Sequence, residues 1–87
     1  MSKKISLAAA RILAGLTQQE AAEMFGVHYQ TLAKWEKDAG SMKFSAVSKI
    51  PEIYSVTVDS IFFGTENEFN RYYSENEKTN EISKITK

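Results

Sequence analysis

Residues 17–37, TQQEAAEMFGVHYQTLAKWEK, hold the pattern from which the rest of the fold follows. They read as two short helices joined by a tight turn at Gly26. Thr17 opens the first, with its hydroxyl placed to accept from the Glu20 amide while the Glu20 carboxylate reaches back. Ala21, Ala22, Met24 and Phe25 gather on one side, leaving Gln19, Glu20 and Glu23 on the other. Gly26 supplies a residue that tolerates a left-handed backbone at a helix end. The second helix is expected from about Tyr29 to Lys37.

Adding roughly 100° per residue from Tyr29 puts Leu32 and Trp35 on one side of this helix, the side that must be buried. Tyr29, Gln30, Ala33, Lys34 and Lys37 share the opposite arc, which is polar and cationic with one small residue near its middle. Such an arc suits a DNA groove. Gln and Lys bond base edges, a small residue permits close approach, and Lys draws phosphate.

The block resembles the helix-turn-helix of the phage repressor and Cro family, the XRE-type regulators. The matching residues are Gly15-Leu16-Thr17-Gln18, Glu20, Ala22, Gly26-Val27, Leu32 and Trp35-Glu36, together with Arg11 and the later run Val56-Thr57-Val58-Asp59-Ser60-Ile61-Phe62. The likeness covers roughly residues 5 to 64. It implies base-reading positions at Tyr29, Gln30 and Lys34, with Ala33 between them. It also implies a phosphate contact at Gln18 and a structural ion pair between Arg11 and Glu36. By their own placement Gln19, His28, Lys37 and Lys43 are further phosphate candidates. His28 stands where the family usually carries Ser or Thr. A weak cap, a phosphate contact that strengthens on acidification, and an exposed imidazole are all open to it.

Composition bounds the rest. Eighty-seven residues suffice for one small domain with a modest core. The absence of cysteine excludes a disulfide framework and a thiolate metal site. No apolar run approaches the roughly 18 residues of a membrane span. The basic start and the apolar stretch 5–16 do not make a signal peptide, because Arg11 interrupts them and no cleavage site follows. A cytoplasmic protein with no membrane partner is expected. Formal net charge is zero: residues 1–64 carry seven Lys/Arg and six Asp/Glu, and residues 65–87 carry four and five. Long-range steering is therefore slight, and local contacts must supply affinity.

Outside the central block, Ser6 is a candidate cap for a first helix ending at Gly15, with Leu7, Ala10 and Ala14 inward. Residues 38–42 read as a loop. A fourth helix is expected within residues 44–54, starting near Ser48 so that Pro51 falls in its first turn. Thr57 looks like the cap of a fifth helix over residues 58–63, stopped by Gly64. Phe69, Tyr72, Tyr73 and Asn76 then follow helical spacing, so a sixth helix is expected over about 66–77. Its aromatic stripe packs either on the chain's own fourth and fifth helices or on a second copy.

The expected fold is all-α: a five-helix, repressor-like helix-turn-helix domain over residues 1–64, with a polar extension over 65–87 that is helical to about 77 and then flexible. His28 is the only histidine and no carboxylate pair stands apart, so no metal, cofactor, small-molecule ligand or enzymatic activity is expected. The expected function is sequence-specific binding of double-stranded DNA by a phage or prophage repressor or Cro-like regulator, as a homodimer on a near-palindromic operator. The rival is a helix-turn-helix module for protein contact, of antirepressor or antitoxin type. Gln30, Lys34 and Lys37 on the outward arc disfavour it.

Overall fold

Ser6 sets the first helix, its Oγ accepting the Ala9 amide at 3.0 Å. The computed structural model describes residues 3–85, with side chains described to residue 75. Helix α1 spans Leu7–Leu13 and α2 spans Gln18–Phe25. Between them lies a turn at Gly15. A reciprocal capping box opens α2: the Glu20 amide donates to Thr17 Oγ1 at 3.1 Å, and the Thr17 amide donates to Glu20 Oε1 at 2.8 Å. Gly26 ends α2 at φ +76°, and the Val27 amide reaches back to the Ala22 carbonyl at 2.9 Å. A Cβ at Gly26 would meet nothing within 4 Å, so glycine is favoured there by torsion alone.

Helix α3 follows as Tyr29–Lys37, and a 3-10 turn at Ala39–Ser41 leads to α4, Phe44–Val47. Helix α5 is Ile50–Tyr54, and a second 3-10 turn spans Val58–Ser60. The last helix, α6, spans Glu66–Ile85. Phe25 lies at the centre of the core, edge-on to Trp35 at 6.0 Å and to Tyr54 at 5.5 Å between ring centroids. Leu7, Leu32, Ile50 and Ile61 are fully buried around it. Each such side chain contributes roughly 1.5–3 kcal/mol over its exposed state.

The all-helical class holds among the described residues, but several local expectations do not. Met24 is 51% exposed, because it lies roughly 100° round the helix from the middle of the buried stripe formed by Ala21, Ala22 and Phe25. Ala14 is also exposed: it has the right phase, but it is the C-cap residue, past the last turn of α1. The expected fourth helix is two short ones that meet at Ser48 and Lys49. Pro51 falls in the first turn of α5, where its missing donor costs nothing. The expected fifth helix is one 3-10 turn, and the Thr57 side chain bonds Ser60 Oγ rather than a backbone amide.

Beyond that turn the chain extends, and Ile61 forms a parallel bridge with Ile5. The Ile5 amide donates to the Ser60 carbonyl, and the Phe62 amide donates to the Ile5 carbonyl, both at 2.9 Å. This bridge fastens the N-terminal arm to the end of the domain. A second capping box starts α6, with Thr65 and Glu68 exchanging bonds at 2.8 and 3.2 Å. The α6 aromatics pack on their own chain. Phe62 meets Phe69 at 5.6 Å and Tyr72 at 5.1 Å, the Lys4 amide donates to Tyr72 Oη at 3.0 Å, and Lys3 Nζ lies 4.8 Å from the Tyr73 ring centre. Their partners are thus Phe62, within the stretch 58–63 expected as the fifth helix, and the N-terminal arm, which the spacing did not suggest. Asn76 and the stretch expected to be flexible from 78 onward have side chains outside the described residues.

Candidate nucleic-acid interface

Helix α3 is buried on one side only. Leu32 is fully buried and Trp35 is 4% exposed, while Tyr29, Gln30, Lys34 and Lys37 on the opposite arc are all exposed. Ala33, between them, is half-buried. Lys34 and Lys37 stand in the last turn, where cations complement the negative end of the helix. The C-terminal aromatics lie against Phe62 and residues 3 and 4, so the arc stays open.

The frame behind the arc is an ion pair. Arg11 Nε donates to Glu36 Oε2 at 2.7 Å, and the same guanidinium reaches the Leu16 carbonyl at 2.9 Å. Gln18 Nε2 donates to Glu36 Oε1 at 2.9 Å. One carboxylate near the end of α3 therefore gathers α1, the α1–α2 junction and the start of α2. Gln18 is half-buried, and its bond to Glu36 uses one of the two N–H groups of its side-chain amide, leaving the second as a donor. That second N–H suits a phosphate oxygen, and the α2 backbone amides add anion donors at the same corner.

Gln19, His28 and Tyr29 border a common open cleft of about 340 Å³, with Ala22, Glu23 and Val27 completing its wall. His28 caps α3, its Nδ1 accepting from the Gln30 amide at 3.2 Å, and its ring lies 4.6 Å from that of Tyr29. Lys43 sits apart from this cleft as the exposed residue preceding α4, with no side-chain capping bond. Beside it stands Phe44, 86% exposed, which the sequence reading did not single out. Spacing gave no signal of this, since Phe44 stands three residues before Val47 and continues the Val47, Ile50, Ile53 series.

A helix-turn-helix family model matches residues 7–61. The chain belongs to the XRE-type helix-turn-helix family. It is therefore a DNA-binding helix-turn-helix regulator, and α2, Gly26 and α3 are the motif itself. A comparison with curated proteins gives no match. Among the described residues no group of His, Cys, Asp or Glu has the arrangement of a metal site, and no helix is long and apolar enough to cross a membrane.

Proposed function

We propose that this helix-turn-helix protein is a transcriptional repressor of the phage or prophage repressor and Cro kind, acting in the cytoplasm on a near-palindromic operator. The observation that carries the reading is the open arc of α3, polar and cationic outside while Leu32 and Trp35 seal its other side. In this reading Gln30 bonds adenine at two points, Lys34 reaches guanine, Tyr29 meets a thymine methyl or a phosphate, and Ala33 allows close approach. Gln18, Gln19, His28, Lys37 and Lys43 serve the backbone, Gln18 through the amides at its helix start. Residues 1–64 form the DNA-binding unit and residues 65–87 the extension. No catalytic role is assigned to any residue.

Two copies are needed by arithmetic. From these five candidates one copy offers about three or four phosphate contacts, and two copies offer about 6–8, near the range in which specific regulators work. Their α3 helices then enter successive major grooves about 34 Å apart. The rival reading, a module for protein contact, gains little from the α3 arc. The large exposed aliphatic residues Ile12 and Leu13 are on α1 instead.

Selection of bound sequences from random DNA at stated salt, for wild type and Gln30→Ala, tests the proposal. It predicts a palindromic consensus in which Gln30→Ala loses preference at one or two positions in each half-site. Uniform weakening across all sequences would make Gln30 a backbone contact instead.

A further inference from the structure

His28 makes two contacts at once, and together they fix which of its atoms faces outward. As N-cap of α3 it has extended backbone torsions, and its Nδ1 accepts the Gln30 amide proton. A ring nitrogen that accepts carries no proton, so the neutral ring holds its proton on Nε2. The ring also lies against Tyr29 at 4.6 Å with a 33° tilt, which limits its rotation. Nε2 has no hydrogen-bond partner among the described residues, and His28 is exposed on the rim of the cleft shared with Gln19 and Tyr29. We propose that His28 is a positioning residue that meets a DNA phosphate as a neutral donor, through Nε2–H, while Nδ1 keeps the Gln30 backbone in register.

This rests on the DNA-binding reading above and narrows it. An imidazolium contact and the cap exclude one another, because protonating Nδ1 turns the acceptor into a donor aimed at the Gln30 amide. It would also put a positive charge at the positive end of α3. The neutral ring suffers neither penalty, so one side chain joins a phosphate anchor to the residue that faces the bases. The charged group bordering the ring is Glu23 of α2, across the cleft, and no Lys or Arg lines it. The contact is therefore assigned to the neutral ring, which keeps the cap, rather than to the imidazolium considered from sequence.

The test combines two measurements on the full chain. The first is the ¹⁵N shifts of the His28 ring at pH 8, without DNA. The second is affinity for a selected operator duplex and for a random duplex over a range of salt, for wild type, His28→Ser and His28→Ala, with melting curves for each. The proposal expects the Nε2–H tautomer. It expects His28→Ser, which restores an oxygen cap, to keep the melting midpoint yet bind both duplexes about 3- to 10-fold more weakly, the worth of one net hydrogen bond. The slope of log affinity against log salt should stay unchanged, because a neutral donor releases no counterion. His28→Ala should lose the same contact and also melt earlier. An Nδ1–H tautomer, unchanged affinity in His28→Ser, or a slope shallower by about one in that variant would each overturn the proposal. Failure of the wild type to bind any duplex would overturn the DNA reading itself, and the tautomer of the free protein would still report on the cap.

Discussion

Arg11 and Glu36 meet at 2.7 Å between α1 and α3, with side chains only 15% and 8% exposed. The pair closes the back of the recognition motif. The Leu16 carbonyl and the Gln18 amide each add a further bond to the pair.

Removing one partner strands a largely buried charge. Arg11→Met or Glu36→Leu alone is expected to lower unfolding free energy by about 3–5 kcal/mol, measured by urea titration. The double replacement should cost much less than the sum of the two, since it leaves no orphan. Additive losses would mean that the two side chains do not stabilise each other.

Glu20 titrates against its own cap. The Thr17 amide bond, and then the Thr17 hydroxyl, hold its carboxyl below the ordinary value of 4.5. A depressed folded value contributes stability that is present above the unfolded value and fades as pH falls through the folded one. Glu20→Gln keeps a capping group but removes the proton, so its melting midpoint should fall less than that of wild type below about pH 4.5. Parallel acid limbs in the two proteins would contradict this.

Tyr54 is 2% exposed and its hydroxyl has no hydrogen-bond partner among the described residues. Burial, with Glu36 adding to it and Arg11 opposing, pushes that hydroxyl well above the ordinary tyrosine range. The stability it contributes is complete below the unfolded value near 10 and is lost as pH rises beyond it. Tyr54→Phe should therefore unfold less readily above pH 10. At neutral pH it should match or exceed wild type, by up to about 1 kcal/mol, since an unpaired buried hydroxyl is a liability. A loss of 1 kcal/mol or more at pH 7 would show that the hydroxyl has a partner.

The motif was legible because its signals are local. Thr17 and Glu20 sit three residues apart, Gly26 ends α2, and the 3.6-residue period sorts Leu32 and Trp35 from Gln30 and Lys34. Where the structure departs from expectation, the deciding partner lies far along the chain. Residues 58–63 read as helix, yet the strand-like pairing of Ile61 with Ile5, 56 positions away, stops the helix after one turn. The apolar residues of 44–54 fit one helix as well as two, and periodicity alone does not reveal the break at Ser48. Two signals were present and went unread: the Thr65 and Glu68 capping box, and the phase of Met24. In the interface, the exposed arc of α3 was readable from spacing. The engagement of Gln18 by Glu36 was not, because it depends on how α2 and α3 cross.

The proposed DNA-reading surface is the outward side of α3, and backbone amide shifts of ¹⁵N-labelled protein titrated with a selected duplex test it most directly. The largest changes are expected on His28, Tyr29, Gln30, Ala33, Lys34 and the start of α2, with α6 nearly still. Changes concentrated on Phe62, Phe69 and Tyr72, or no change with any duplex at low salt, would contradict it.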